Sequence, residues 1–158
     1  MLILISGCQN PFAPGVEPFR QGSGGPISDQ KTIEGVFQNF RYAYTFKDTL
    51  IYNALLAEDF IFVYRDYEKG VDISWGREEE LRTTSGLFEN SERLDLIWNN
   101  IIVSSADSVQ ANIVRGFNLT ITFNPTDILR LDGRVNLFMR KESDGRWVIN
   151  RWIDESNF

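Results

Sequence analysis

Two arginines occupy positions where a charge needs an explanation. Along residues 109–123 the odd positions are Val109, Ala111, Ile113, Arg115, Phe117, Leu119, Ile121 and Phe123, so Arg115 is the one charge on an apolar face of period two. Residues 147–153 repeat the pattern, with Arg151 among Trp147, Ile149 and Ile153. A guanidinium on a buried face requires an anionic partner. That partner is either a ligand carboxylate gripped by the planar fork of donors, or a structural carboxylate such as Asp48, Glu58 or Asp59. A bulge at Gly116 would instead turn Arg115 outward. Asp59 and Asp154 are candidate bases, because a carboxylate among aromatic rings has its pKa raised. Tyr44, Tyr64 and Trp75 are the aromatic candidates for a binding site, although Trp75 serves equally as core or lid. The run Glu78-Glu79-Glu80 reads as a solvated helix start and not as a metal site.

Composition narrows the chemistry further. The 158 residues include no histidine, one cysteine and 21 aromatics, and the 16 basic residues against 22 acidic ones leave a net charge of −6. Catalytic triads, zinc sites and general bases built on histidine are therefore ruled out, and nothing calls for a metal or cofactor. One cysteine forbids an internal disulfide. An acidic chain argues against nucleic acid as a partner, since phosphate binding needs a basic patch. The length suits one domain with one core.

The elements that must position these residues read as helices first and sheet afterwards. Ser28 or Asp29 can cap a helix whose stripe is Ile33, Val36, Phe37, Phe40 and Tyr44. Asp48 can cap a second, carrying Leu50, Ile51, Ala54, Leu55 and Ala57. A β-rich run at 60–64 and a polar loop at 65–70 follow. Residues 74–80 then open a third helix, with an acidic first turn and an inner face of Leu81, Thr84, Leu87 and Phe88. Four β segments close the chain, at about 94–103, 109–124, 128–142 and 146–154, with a tight hairpin signal at Ser143-Asp144-Gly145. Short turns between sequential strands imply an antiparallel meander, and helices ahead of it imply an α+β domain.

Specific stretches carry a family resemblance. Leu55-Leu56-Ala57-Glu58-Asp59-Phe60-Ile61-Phe62, then Gly76-Arg77-Glu78-Glu79, then residues 133–141 with Asp144-Gly145-Arg146-Trp147-Val148-Ile149, resemble the helix-into-strand junction, third-helix start and final hairpin of the nuclear transport factor 2-like superfamily. This superfamily includes polyketide cyclases and ketosteroid isomerase, and the likeness spans about residue 32 to the end. It implies N-terminal helices packed in the concave face of a strongly curved antiparallel sheet, a cone with a pocket at its open end. It also implies a convex face that often pairs two subunits. Trp152, with Phe138 beside it, is expected on that face as a homodimer contact, unless the tail 155–158 covers the tryptophan. Many cyclase-like members place histidines on the last strand after Trp-x-Ile, where this chain has Arg151 and Ile153. Tyr44, Tyr64, Asp59 and Asp154 supply the residue types of ketosteroid isomerase without its spacing.

The first residues point to an address. Ile5-Ser6-Gly7-Cys8 resembles a bacterial lipobox, with an apolar run, small residues and a thiol that receives lipid. Residues 1–7 carry no basic n-region and read as the remnant of a longer signal. Residues 8–27 read as the lipidated Cys8 and a flexible tether, holding four of five prolines and four of twelve glycines, and 28–158 as the globular domain. Gln9 after the cysteine resembles the outer-membrane default. The expectation is a non-catalytic, lipid-anchored domain of the cell envelope that binds a small apolar or anionic ligand, or a partner protein, in an aromatic pocket. The alternative is a histidine-free isomerase, cyclase or hydratase with a carboxylate base.

Overall fold

The computed structural model describes residues 27–155, so Cys8 and the expected tether lie outside the described residues. Helix α1 (Ile33–Phe46) starts at Thr32, whose side chain accepts from the Gly35 N–H at 3.0 Å. Neither Ser28 nor Asp29 caps it, and the Ser28 hydroxyl donates instead to the Gly35 carbonyl at 2.7 Å. The buried stripe Val36, Phe37, Phe40, Ala43 and Tyr44 follows helical spacing. Asp48 accepts from the N–H groups of Leu50 and Ile51, both at 3.0 Å, and starts α2 (Thr49–Leu55). This helix ends earlier than its apolar pattern suggests. Leu56 is already extended and Ala57 belongs to β1 (Leu56–Asp66), while Leu50, expected inside, is exposed.

Strand β1 turns back at Gly70, whose φ of 68° suits glycine, into β2 (Val71–Gly76). Sequence reading passes over β2 because its run is short and its neighbours are polar. Helix α3 (Arg77–Asn90) leads to the meander of β3 (Arg93–Ala106), β4 (Gln110–Asn124), β5 (Asp127–Lys141) and β6 (Trp147–Asp154). The order in the sheet is β2-β1-β6-β5-β4-β3, and every pair is antiparallel except β1 with β6. The domain is thus α+β, three helices against a curled six-stranded sheet.

The apolar core lies between helices and sheet, centred on Phe37, Phe40, Tyr52, Leu55, Phe60, Leu137 and Ile149. At the start of β6 a buried polar clasp closes the structure. Gln30, itself left-handed, donates to the carbonyls of Trp147 at 3.1 Å and Ala54 at 3.2 Å and accepts from Asn39. The opposite end of β6 stays open.

Candidate functional site

One irregularity in the sheet decides which side chains enter that open end. Phe138 pairs with Arg151 but its neighbour Met139 pairs with Ile149, so Asn150 is an extra residue on β6. Side chains alternate along a strand, and one inserted residue swaps the faces beyond it. Trp147 and Ile149 point into the core before the slip, and Trp152 and Asp154 line the cavity after it. Arg151, expected inward, is exposed, its guanidinium over the Phe138 ring at 5.9 Å. Trp152, expected on the convex face, packs on Phe40 at 5.6 Å and Phe62 at 5.1 Å between ring centroids. The pairing of Trp152 with Phe138 as one external contact is therefore overturned, since the strand separates them.

The cavity measures about 320 Å³, within the range of small-molecule sites. Its walls are Phe40 and Tyr44 of α1, Phe62 of β1, Trp75 of β2, Trp98 of β3, Phe117 of β4 and Trp152 of β6, with aliphatic Leu87, Leu96, Leu119, Leu131 and Val135 between them. Among the described residues, its charged lining residues are Glu80 and Asp154.

Glu80 is the residue that sequence reading misplaced. It is 4% exposed and not a solvated helix start. Tyr52 donates its hydroxyl to Oε1 at 2.6 Å, Thr84 donates to the same oxygen at 3.1 Å, and Trp75 donates Nε1–H to Oε2 at 2.7 Å. Three donors on two oxygens offset the desolvation of this buried carboxylate, which forms no ion pair among the described residues. Glu80 lies four residues before Thr84 and eight before Phe88, on one buried stripe of α3. That spacing was the available signal, and the charge of the residue concealed it. Burial first, then the Glu80 charge, pushes the Tyr44 phenol well above its ordinary value. Burial likewise raises Tyr52, with the Tyr44 and Glu80 charges adding to it. Both phenols stay protonated at neutral pH. The indole Nε1 of Trp152 is buried and has no hydrogen-bond partner among the described residues.

The other expected site residues separate. Tyr44 and Trp75 line the cavity, but the Trp75 N–H is committed to Glu80. Tyr64 lies outside the lining and packs its ring on Trp75 at 5.5 Å. Arg115 does not reach the cavity. It donates to Glu34 at 2.9 Å and to the Asn99 carbonyl at 2.8 Å, and lies over the Phe37 ring at 4.7 Å. Its partner comes from the first turn of α1 rather than from Asp48, Glu58 or Asp59, because α1 packs along β3 and Arg115 reaches past that neighbouring strand to Glu34. Asp59 faces outward and pairs with Arg140 at 2.7 Å, which holds its carboxyl below the usual range. It is removed from the cavity and from any role as base there. Among the described residues, no three acidic or cysteine side chains gather as a metal site.

No protein-family model matches the sequence, and no curated protein matches it. Solved structures do match the fold. A conserved protein from Planctomyces limnophilus superposes with a TM-score of 0.69 at 15% identity, covering 77% of this chain and 91% of its own. A putative scytalone dehydratase from Novosphingobium aromaticivorans gives 0.68 at 17%, covering 80% and 82%. A putative dehydratase of the nuclear transport factor 2-like family from Streptomyces avermitilis gives 0.65 at 15%, covering 80% and 94%. At these identities the likeness is one of architecture. The chain has the cone fold of the nuclear transport factor 2-like superfamily.

Proposed function

We propose that the cavity holds a small, flat, largely apolar organic molecule bearing a hydrogen-bond acceptor, and that the protein is a binding domain. The observation that carries this reading is the buried, unpartnered Nε1–H of Trp152 beside an aromatic cavity of about 320 Å³. A donor left unmet in such a place costs about 1–3 kcal/mol, and an acceptor on a bound molecule removes that cost. The carboxylate most deeply set, Glu80, already accepts three protein donors, which stabilise its charge and weaken it as a base. Arg115 and Arg151 lie outside the lining, which counts against an anionic ligand. In the same proposal, the domain is held at the bacterial envelope through lipid on Cys8.

A second reading is a histidine-free isomerase, cyclase or hydratase with Asp154 as its base. Asp154 lines the cavity, and two of the similar folds carry the description putative dehydratase.

Tryptophans 75, 98 and 152 line the cavity, so intrinsic fluorescence reports binding directly. Titration with meta-tert-butylanisole, a neutral ring carrying an ether oxygen, should quench emission saturably. Leu131→Phe, which fills the cavity from β5, should abolish that response. No saturable quenching, or quenching unchanged in Leu131→Phe, refutes the reading.

A further inference from the structure

Resting on the cavity reading above, we infer that the natural ligand is an organic cation, a substituted ammonium or a protonated amine on an apolar ring. The charged residues of the lining are both acidic, Glu80 and Asp154, and no lysine or arginine is among the described residues that form it. Glu80 is satisfied by neutral donors only, so its negative charge is delocalised over hydrogen bonds but not cancelled. Among apolar walls that charge is screened less than it would be in bulk water, so it favours a cation over an anion in the cavity. Burial is the largest cause of the raised Tyr44 phenol pKa, and the negative charges of Glu80 and, least, Asp154 add to it.

The aromatic walls add an independent preference of the same sign. Seven rings face the space, three of them indoles, and the face of an aromatic ring carries negative charge density. Trp75 lies parallel to Phe62 with centroids 4.5 Å apart, and Trp152 stands edge-on to Phe62 at 5.1 Å, which makes a walled corner. A desolvated ammonium over such faces is held by cation–π attraction, most strongly by tryptophan. An anion is repelled by the ring faces and by both carboxylates. A neutral ligand gains the apolar burial and no more.

Three probes on one meta-methoxyphenyl ring separate the terms: meta-methoxyphenyltrimethylammonium, its neutral isostere meta-tert-butylanisole, and the anionic meta-methoxybenzoate. All three carry an oxygen for Trp152 Nε1. Tryptophan quenching should show the cation binding at least about tenfold tighter than the neutral isostere, with the anion weakest. Glu80→Gln should shrink the cation's advantage severalfold and leave the neutral isostere within about twofold. Where Glu80→Gln fails to fold by circular dichroism, Asp154→Asn at the rim carries the same comparison. Neutral binding equal to or tighter than cation binding overturns the charge assignment and leaves the cavity reading standing. Anion binding equal to cation binding overturns it as well. Absence of quenching by any of the three overturns both.

Discussion

Tyr52 and Glu80 meet at 2.6 Å across the seam of α2 and α3, the phenol donating to a carboxylate that the apolar core surrounds. This contact couples the packing of two helices to the electrostatics of the cavity. The phenol fixes one carboxylate oxygen while the Trp75 indole fixes the other. A site residue is thus held by groups that are themselves core.

Tyr52→Phe should lower stability by about 1.5–3 kcal/mol, the usual worth of a buried hydrogen bond to a charged group. The shape of the ring is kept, so the loss reports the hydroxyl. Urea unfolding followed by circular dichroism measures it, and a loss under about 0.5 kcal/mol contradicts the assignment.

Alkaline pH should destabilise the fold through the same phenols. Tyr44 and Tyr52 have folded pKa values above the ordinary 10.0, so above that pH the unfolded chain releases protons that the folded chain retains. Stability is therefore fully present below about pH 10 and falls as pH rises toward the folded values, by up to about 1.4 kcal/mol per pH unit for each phenol. Thermal melts from pH 8 to 11 trace the decline, and Tyr44→Phe should flatten it. An unchanged slope in that variant would sink the argument.

Neighbouring substitutions on β6 should behave oppositely. Arg151→Ala removes an exposed side chain and should change stability by less than about 0.5 kcal/mol without affecting cavity ligands. Trp152→Ala opens the cavity wall and should cost about 3 kcal/mol. It should also eliminate quenching by meta-tert-butylanisole. The reverse ranking would mean that the slip at Asn150 is misplaced.

Cys8→Ser in the full-length precursor tests the anchor. Membrane fractionation should recover the unaltered protein with envelope membranes and the variant in the soluble fraction. Equal release of both removes the lipoprotein assignment.

Much of the scaffold was legible from local chemistry. The helical stripe from Val36 to Tyr44, the Asp48 cap and the four meander strands all rest on contacts between near neighbours in the chain, and pattern encodes such contacts. The resemblance carried by 55–62 and 133–149 placed those elements in a cone. The inner ring of α3 was half legible, because Thr84 and Phe88 fit the stripe while the charge on Glu80 pointed toward water.

The site itself was decided elsewhere. Period two along 147–154 assigns Arg151 inward and Trp152 outward, and one extra residue at Asn150 inverts both. A bulge is set by how β6 fits between its hairpin partner β5 and β1, which lies far back in the chain, so no pattern within β6 reports it. Likewise Arg115 was read as needing an anionic partner or ligand, and the partner it meets, Glu34, lies 81 residues away and is brought near by tertiary packing alone. What the residue types determined by themselves was the chemistry permitted: no imidazole, many rings and an excess of carboxylates. Which of those carboxylates face the cavity was left to tertiary structure, because the face of a strand and the partner of a charge depend on residues far along the chain.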